Sequence, residues 1–468
     1  MHFKWIFCFL VFIMISFQSA AQLSVDAWLQ DHMVLQREDT IHLSGQTKTG
    51  QPVTISFQNK SVDAAVDEYG FWKASFYSGS AGGPFQLTIS SGRESIRIKD
   101  ILIGDVWLCS GQSNMEWKPY QGLEGGEELI KDAHHDRLRL MYVPRNASSV
   151  PSNATEGNWM KCSPNNVKRF SAVGYFFGQA VLDSVDVPIG LIDATWGGTR
   201  TEYWIEKEAL ATLPSWDTLQ SKLVADVSGE KLNAFPSSLF NGMIAPITEM
   251  PIKGVLWYQG ESNVDEPTSY ADFIQTLIQN WRSVWHRELY FFQVQIAPYA
   301  YDNLDKANML RSVQSSVALN DPRSGIVITT DVGNWNDIHP LNKYDVGMRL
   351  ARWALNRVYD QKEIVPSGPV FQSMRVIRHK AFLTFDFMQY DDDDLFLPLI
   401  GFEVCDKDSV FYPANAYMKS NRVVVSSPYV RTIHQVRFGY QLQTPPNFFN
   451  EVGLPAVPFW ATRPEEED

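Results

Sequence analysis

The sequence predicts an α/β protein: a central domain of alternating strands and helices with an all-β domain on either side. Three observations lead there. Between residue 99 and residue 362, short apolar runs alternate with segments of helical periodicity. Before and after that stretch, short alternating runs recur with turn signals between them and few helix signals. At about 150 residues per domain, 468 residues suffice for two to four domains.

The chain opens with Lys4, an apolar run over 5–17 and the small residues Ser19, Ala20 and Ala21 before Gln22. This is the pattern of a secretory signal peptide over 1–21, and it predicts a secreted or periplasmic protein with no membrane span after cleavage. Three cysteines then remain, Cys109, Cys162 and Cys405, an odd and sparse set that is no disulfide framework, although one bridge is feasible.

Residues 22–98 carry alternating runs at 40–43, 53–57 and 85–89. Turn signals at Lys48-Thr49-Gly50-Gln51, Asp67-Glu68-Tyr69-Gly70 and Gly82-Gly83-Pro84 separate them, which predicts a small β-sandwich. Residues 99–362 change character. Runs rich in Val, Ile, Leu and aromatics at 101–109, 138–143, 189–195, 255–259, 290–296 and 326–330 are short enough for strands buried on both faces. Helical stretches at 172–185, 270–285, 308–319 and 344–358 lie between or after them; in the last, Val346, Leu350, Trp353, Ala354 and Val358 share one face. This alternation implies a parallel sheet covered by helices on both sides. Beyond Pro366-Ser367-Gly368-Pro369 the pattern returns to β over 363–468, with runs at 381–387, 423–426 and 435–440. The acidic run from Asp391 to Asp394 lacks the alternation and turn glycine of a calcium loop and reads as a solvated loop, and the residues after Pro464 read as an acidic tail.

With 40 Lys and Arg against 53 Asp and Glu, the net charge is 40 − 53 = −13, so nothing favours nucleic acid as a partner. No His-x-x-His or His-Glu-x-x-His spacing suggests a metal, and no glycine-rich phosphate loop follows a strand, so no cofactor is expected. His134 and His135 sit in a charged stretch that reads as helical. The 15 Trp residues are a weak pointer to sugars, whose C–H faces stack on indole rings.

Ligands of open α/β sheets bind beyond the carboxyl ends of the strands, so the loops there carry the chemistry. After the first strand comes Cys109-Ser110-Gly111-Gln112-Ser113-Asn114-Met115-Glu116-Trp117, a turn that can expose the Ser113 hydroxyl or let Ser113 cap a helix. After the third comes Thr195-Trp196-Gly197-Gly198-Thr199, where paired glycines allow a backbone N–H to approach a ligand. The fourth is followed by Trp257-Tyr258-Gln259-Gly260-Glu261-Ser262-Asn263, with two amides able to serve an oxyanion or to tie the loop to itself. The last is followed by Asp331-Val332-Gly333-Asn334-Trp335-Asn336-Asp337-Ile338-His339-Pro340, where Asp337 and His339 can face one cleft and the imidazole can act as base.

Together these segments resemble the sialate O-acetylesterase family, a branch of the SGNH-type hydrolases. The resemblance rests on Val106 to Glu116, Trp196-Gly197-Gly198-Thr199, Trp257 to Asn263 and Asp337-Ile338-His339-Pro340. It extends to His32-Met33-Val34-Leu35-Gln36-Arg37 and Gly453-Leu454-Pro455-Ala456, which look like the family's β-domain signatures. It implies a flavodoxin-like three-layer α/β/α SGNH hydrolase domain with flanking all-β domains, hydrolysing acetyl esters on sugars. By position, Ser113 is the expected nucleophile, His339 the base and Asp337 its orienting acid. The backbone N–H groups of Ser113 and Gly198 and an amide of Gln259 or Asn263 are the expected oxyanion donors. Two departures stand out: Asp337 lies two residues before His339 where the family commonly has three, and Gln259 and Asn263 compete for the place of one Asn.

Arg200 is a candidate for holding a sialate carboxylate and Glu261 for binding substrate, although Arg200 can equally pair with Glu202. An acetylxylan esterase fits the same motifs. So does another acyl-transfer enzyme such as a serine peptidase or thioesterase. A non-catalytic glycan-binding protein on a hydrolase scaffold is disfavoured by the joint presence of Ser113, His339 and an acid. The flanking β domains show no aromatic platform in sequence and are expected to brace the cleft.

Overall fold

The apolar runs of the central stretch form strands because β-branched and aromatic residues fit a pleated surface buried on both sides. The structure, a computed structural model, describes residues 22–224, 235–388, 390, 397–419 and 421–464. The expected signal peptide, the Asp391 to Asp394 run and the tail after Pro464 lie outside the described residues. The chain divides into two compact units.

One unit comprises residues up to Asp26 together with His42–Ser75 and Leu87–Arg97. In it, Thr54–Phe57 pairs antiparallel with Lys60–Asp63 and with residues 87–90, and Ala65–Val66 pairs with residues 72–73. Trp72 is fully buried and donates its indole N–H to the Ser24 carbonyl at 3.2 Å.

The other unit comprises Ala27–Ile41, Phe76–Gln86 and the chain from Ile98 onward. Its central sheet is built from β1 (Glu94–Gly111, its later part), β2 (His135–Tyr142), β3 (Asn158–Cys162), β4 (Ile189–Thr195), β5 (Gly254–Tyr258), β6 (Tyr290–Val294) and β7 (Ser324–Val327). The spatial order is β3-β2-β4-β1-β5-β6-β7, parallel throughout except for the antiparallel edge strand β3. Alternate residues face opposite ways. Trp107, Cys109, Leu256, Tyr258, Phe292 and Val294 join one core with residues of α2 (Ala172–Ser184) and α5 (Tyr344–Arg357), after α1 (Ser113–Glu116) has opened the helical part. Trp257 and Phe291 instead meet Trp281 of α3 (Pro267–Val284), which packs beside α4 (Leu304–Leu319).

Two expectations are corrected. His135 opens strand β2 instead of lying in a helix: the strand begins three residues ahead of the apolar run at 138, and within it Arg139 is buried and paired with Asp100 at 3.2 Å. The Val34–Gln36 signature is not confined to a β domain. It pairs parallel with residues 102–104 of β1, and the Arg37 Nε donates to both Asp105 oxygens at 3.1 Å. The three cysteines are all buried and unpaired.

The C-terminal segment forms two antiparallel sheets around a separate apolar core containing Leu383, Val404, Val425 and Phe438. An aromatic cluster that the sequence did not reveal is present there: Phe411, Tyr440 and Trp460 surround the Arg437 guanidinium, and Trp460 is 47% exposed. Among the described residues no helix is long and apolar enough to cross a membrane.

Candidate active site

Strand β1 ends at Gly111, whose φ of +129° lies where residues with side chains are rarely found. A Cβ there would lie 2.2 Å from the Tyr258 carbonyl oxygen, so glycine is what lets β1 run against the end of β5. The Gln112 N–H then donates to that same carbonyl at 3.0 Å, and α1 begins at Ser113. The Ser113 side chain is thereby delivered to the carboxyl edge of the sheet.

The loop after β7 brings His339 to it. Its Nε2 lies 2.8 Å from the Ser113 Oγ, joining residues 226 positions apart. The imidazole stacks on Trp117 at 5.3 Å with 25° between planes. Partial burial pulls its pKa below the usual histidine value; the nearby Lys343 charge pulls the same way and Asp337 opposes it. Asp337 Oδ1 accepts the backbone N–H of His339 at 2.8 Å but stands 3.8 Å from Nδ1, and its side chain is 52% exposed. That separation is an electrostatic contact and too long for a hydrogen bond. The expected orienting acid is thus a neighbour of the imidazole without gripping it.

The glycine pair lies against the serine. A Cβ on Gly197 would come within 3.2 Å of the Ser113 Cβ, and the Gly197 N–H donates to Glu116 Oε2 at 2.8 Å. Glu116 Oε1 accepts a short bond from Arg145. Gly198 is exposed, has φ +74° and its N–H has no hydrogen-bond partner among the described residues.

The amides of the third loop do not reach the serine. Gln259 is fully buried; its Nε2 donates to Thr199 O at 3.1 Å, Gln112 Oε1 at 3.2 Å and Asn263 Oδ1 at 2.8 Å, while its Oε1 accepts from the Thr201 hydroxyl. Asn263, also fully buried, donates to Glu202 at 3.0 Å and accepts from the Thr201 N–H at 3.1 Å. Both side chains tie the loops after β4 and β5 together, the second of the two roles that the sequence offered for these amides. Arg200 pairs with Glu202 at 2.6 Å, Glu266 at 2.8 Å and the Ser262 carbonyl at 3.1 Å, which includes the Glu202 pairing that the sequence offered as its alternative. Glu261 points inward: Oε1 accepts from Asn114 Nδ2 at 2.6 Å, and Oε2 is buried without a partner among the described residues.

Sequence reasoning missed Asn114, Glu116, Trp117 and Lys343. The first three lie inside the conspicuous Ser113 segment; Lys343 stands at the start of α5 and carries no motif signal.

A family model described as "carbohydrate esterase, sialic acid-specific acetylesterase" matches residues 103–356, more than half of the chain. The chain belongs to this family. The esterase is 32% identical to a carbohydrate acetylesterase from Xanthomonas citri whose crystal structure superposes with a TM-score of 0.84, covering 94% of this chain and 99% of that one. It is 29% identical over 404 residues to the Homo sapiens sialate O-acetylesterase, covering 78% of this chain and 76% of the relative. It is 26% identical over 424 residues to the Mus musculus sialate O-acetylesterase, covering 78% of each. The protein is a carboxylic ester hydrolase.

Proposed function

We propose that this esterase is a secreted or periplasmic carbohydrate O-acetylesterase that removes acetyl groups from sugar hydroxyls, sialic acids first among them, through Ser113. The observation that carries the reading is the 2.8 Å contact between Ser113 Oγ and His339 Nε2 at the carboxyl edge of a parallel sheet. The α/β region is proposed as an SGNH-type, flavodoxin-like three-layer domain spanning 99–362, with β domains over 22–98 and 363–468 after a cleaved leader at 1–21.

In the proposed mechanism neutral His339, with its proton on Nδ1, takes the Ser113 proton as Oγ attacks the acetyl carbonyl. The resulting oxyanion is met by the Ser113 N–H and the open Gly198 N–H. Glu116, held by Arg145, fixes the Gly197 peptide and with it the turn that presents Gly198. The sugar alcohol leaves with the proton from His339, and water activated by the same imidazole releases acetate. One oxyanion donor contributes about 10²–10³ in rate in acyl-transfer sites. Asp337 supports the imidazolium through space.

Acetylated xylan is the second reading: the likeness to a bacterial carbohydrate acetylesterase specifies no sugar and is compatible with it. Acetate release from a panel of O-acetyl sialic acids and acetylated xylo-oligosaccharides separates the two. Ser113→Ala is expected to abolish turnover of these and of 4-nitrophenyl acetate; full activity in that variant would remove Ser113 from the mechanism.

A further inference from the structure

Beneath the Ser113–His339 pair lies a buried polar cluster that the proposed mechanism leaves unused. Lys343 is fully buried, and its Nζ donates to Asn114 Oδ1 at 2.6 Å. It lies 5.5 Å from the ring of Trp117, the ring on which His339 stacks, and 5.8 Å from that of Tyr258. Asn114, also fully buried, directly follows the nucleophile. Its Nδ2 donates to the Ile338 carbonyl at 3.0 Å, directly before the base, and to Glu261 Oε1 at 2.6 Å. One amide therefore fastens the helix that carries Ser113 to the loop that carries His339.

The chemistry of the partners fixes which way that amide points. An ammonium only donates, so it requires Oδ1; a carbonyl and a carboxylate only accept, so they require Nδ2. With Lys343 in place, a single rotamer of Asn114 satisfies all three. Without it, Oδ1 is left buried with no donor, and the rotamer that faces Ile338 and Glu261 carries an unpaired acceptor and is held less firmly. We propose that Lys343 is a positioning residue of this esterase: by orienting Asn114 between Ile338 and Glu261, it holds His339 in line with Ser113. The inference rests on the assignment of those two residues as base and nucleophile.

The charge of Lys343 gives the idea an independent readout. Lys343 faces Asn114, Glu261 and Asp337 as well as the two rings. Glu261 in turn faces Asn114, Lys343 and Arg311, with the Tyr258 and Tyr301 hydroxyls nearby. Burial brings Lys343 down to about 7, with both acids opposing. It is therefore charged over the acidic range in which His339 titrates, and that charge keeps His339 low. Removing it lets the imidazole gain its proton at a higher pH.

The test compares the intact protein with Lys343→Met, which keeps the length of the side chain and discards donor and charge. On 4-nitrophenyl acetate, kcat is expected to fall about 10- to 100-fold, the scale of a small misalignment of reacting groups, with KM within about twofold. The acidic limb of kcat/KM moves to higher pH. Lys343→Gln, which restores an uncharged donor toward Asn114, is expected to recover several-fold in kcat over Lys343→Met while the acidic limb stays displaced. A Lys343→Met enzyme with kcat within about twofold of the parent and an unmoved limb overturns the proposal. So does a loss matched in full by a lowered folded fraction in a thermal melt. If Lys343→Met does not fold, Asn114→Ser decides. Serine cannot reach both Ile338 and Glu261, so the same kcat loss at constant KM supports the proposal and an unchanged kcat overturns it. Ser113→Ala run in parallel keeps the two readings apart: an active Ser113→Ala enzyme sinks the nucleophile assignment, whereas an inactive one beside an unaffected Lys343→Met enzyme sinks only the positioning role.

Discussion

Replacing Asp337 by Asn tests how strongly a carboxylate that does not touch the imidazole contributes to turnover. The Asp337 oxygen stands 3.8 Å from His339 Nδ1 and its side chain is 52% exposed. Two unit charges at that distance interact by roughly 1 kcal/mol in water and about 4 kcal/mol at the effective dielectric of a protein surface. Solvent at a half-exposed carboxylate screens the pair toward the lower figure. Losing ~1 kcal/mol of imidazolium stabilisation in the transition state corresponds to about a fivefold drop in kcat/KM. An asparagine oxygen can still accept the His339 backbone N–H that Asp337 now accepts at 2.8 Å, so the loop is expected to keep its shape. The sign on pH is also determined. Asp337 raises the His339 pKa against burial and Lys343, so Asp337→Asn lowers it, and the acidic limb of kcat/KM shifts to lower pH. The assay is initial-rate hydrolysis of 4-nitrophenyl acetate by parent and variant across the range in which histidine titrates. A loss beyond about 10³-fold, approaching the ~10⁴ reported by amidating a hydrogen-bonded triad acid, would refute the through-space account and make Asp337 a direct partner of Nδ1.

Two further outcomes follow from buried groups. Gln259→Leu removes an amide that makes four side-chain hydrogen bonds to Thr199, Gln112, Asn263 and Thr201, and leaves several of those partners unsatisfied; a stability loss of about 2–4 kcal/mol by chemical denaturation is expected. Turnover per folded molecule should stay within about tenfold, whereas a direct oxyanion donor would cost 10²–10³ without loss of stability. Asp193, fully buried on β4, accepts from the Thr195 hydroxyl at 2.6 Å, and burial raises its pKa to about 7. Because its folded pKa lies above its unfolded value, this group makes the fold less stable as pH rises through that interval. Asp193→Asn, which keeps the acceptor for Thr195, should therefore raise the melting temperature more at pH 8 than at pH 5, and an equal change at both would contradict the assignment.

The strands and helices that carry the site were legible because they are apolar on both faces or on one regular stripe. The run 189–195 coincides with β4, and the helical stretch 172–185 ends within one residue of α2. Elements whose polar residues find tertiary partners were harder to read. The edge strand Asn158–Cys162 is short and half polar, and β2 places the polar residues His135, Asp136 and Arg137 before its apolar half, so neither shows strand character in full. In the site, Ser113 and His339 could be placed because topology alone sends the ends of parallel strands to one edge. The direction of an amide is a different matter. Gln259 follows β5 just as an oxyanion donor should, yet three acceptors, two from other loops and one from its own, claim its Nε2.

Lys343 shows the same limit most clearly, since a lysine at a helix start reads as a solvated charge. Its burial follows from what the sheet edge collects: Asn114 from the end of β1, Glu261 from the end of β5, and Trp117 from just beyond α1. A cation enclosed there and an acid left at the rim then act on His339 with opposite signs. Replacing Lys343 and replacing Asp337 should move the acidic limb in opposite directions, and a double variant should return it part of the way. That cancellation requires both groups to act on one titrating imidazole, so it tests His339 as the base without altering His339 itself.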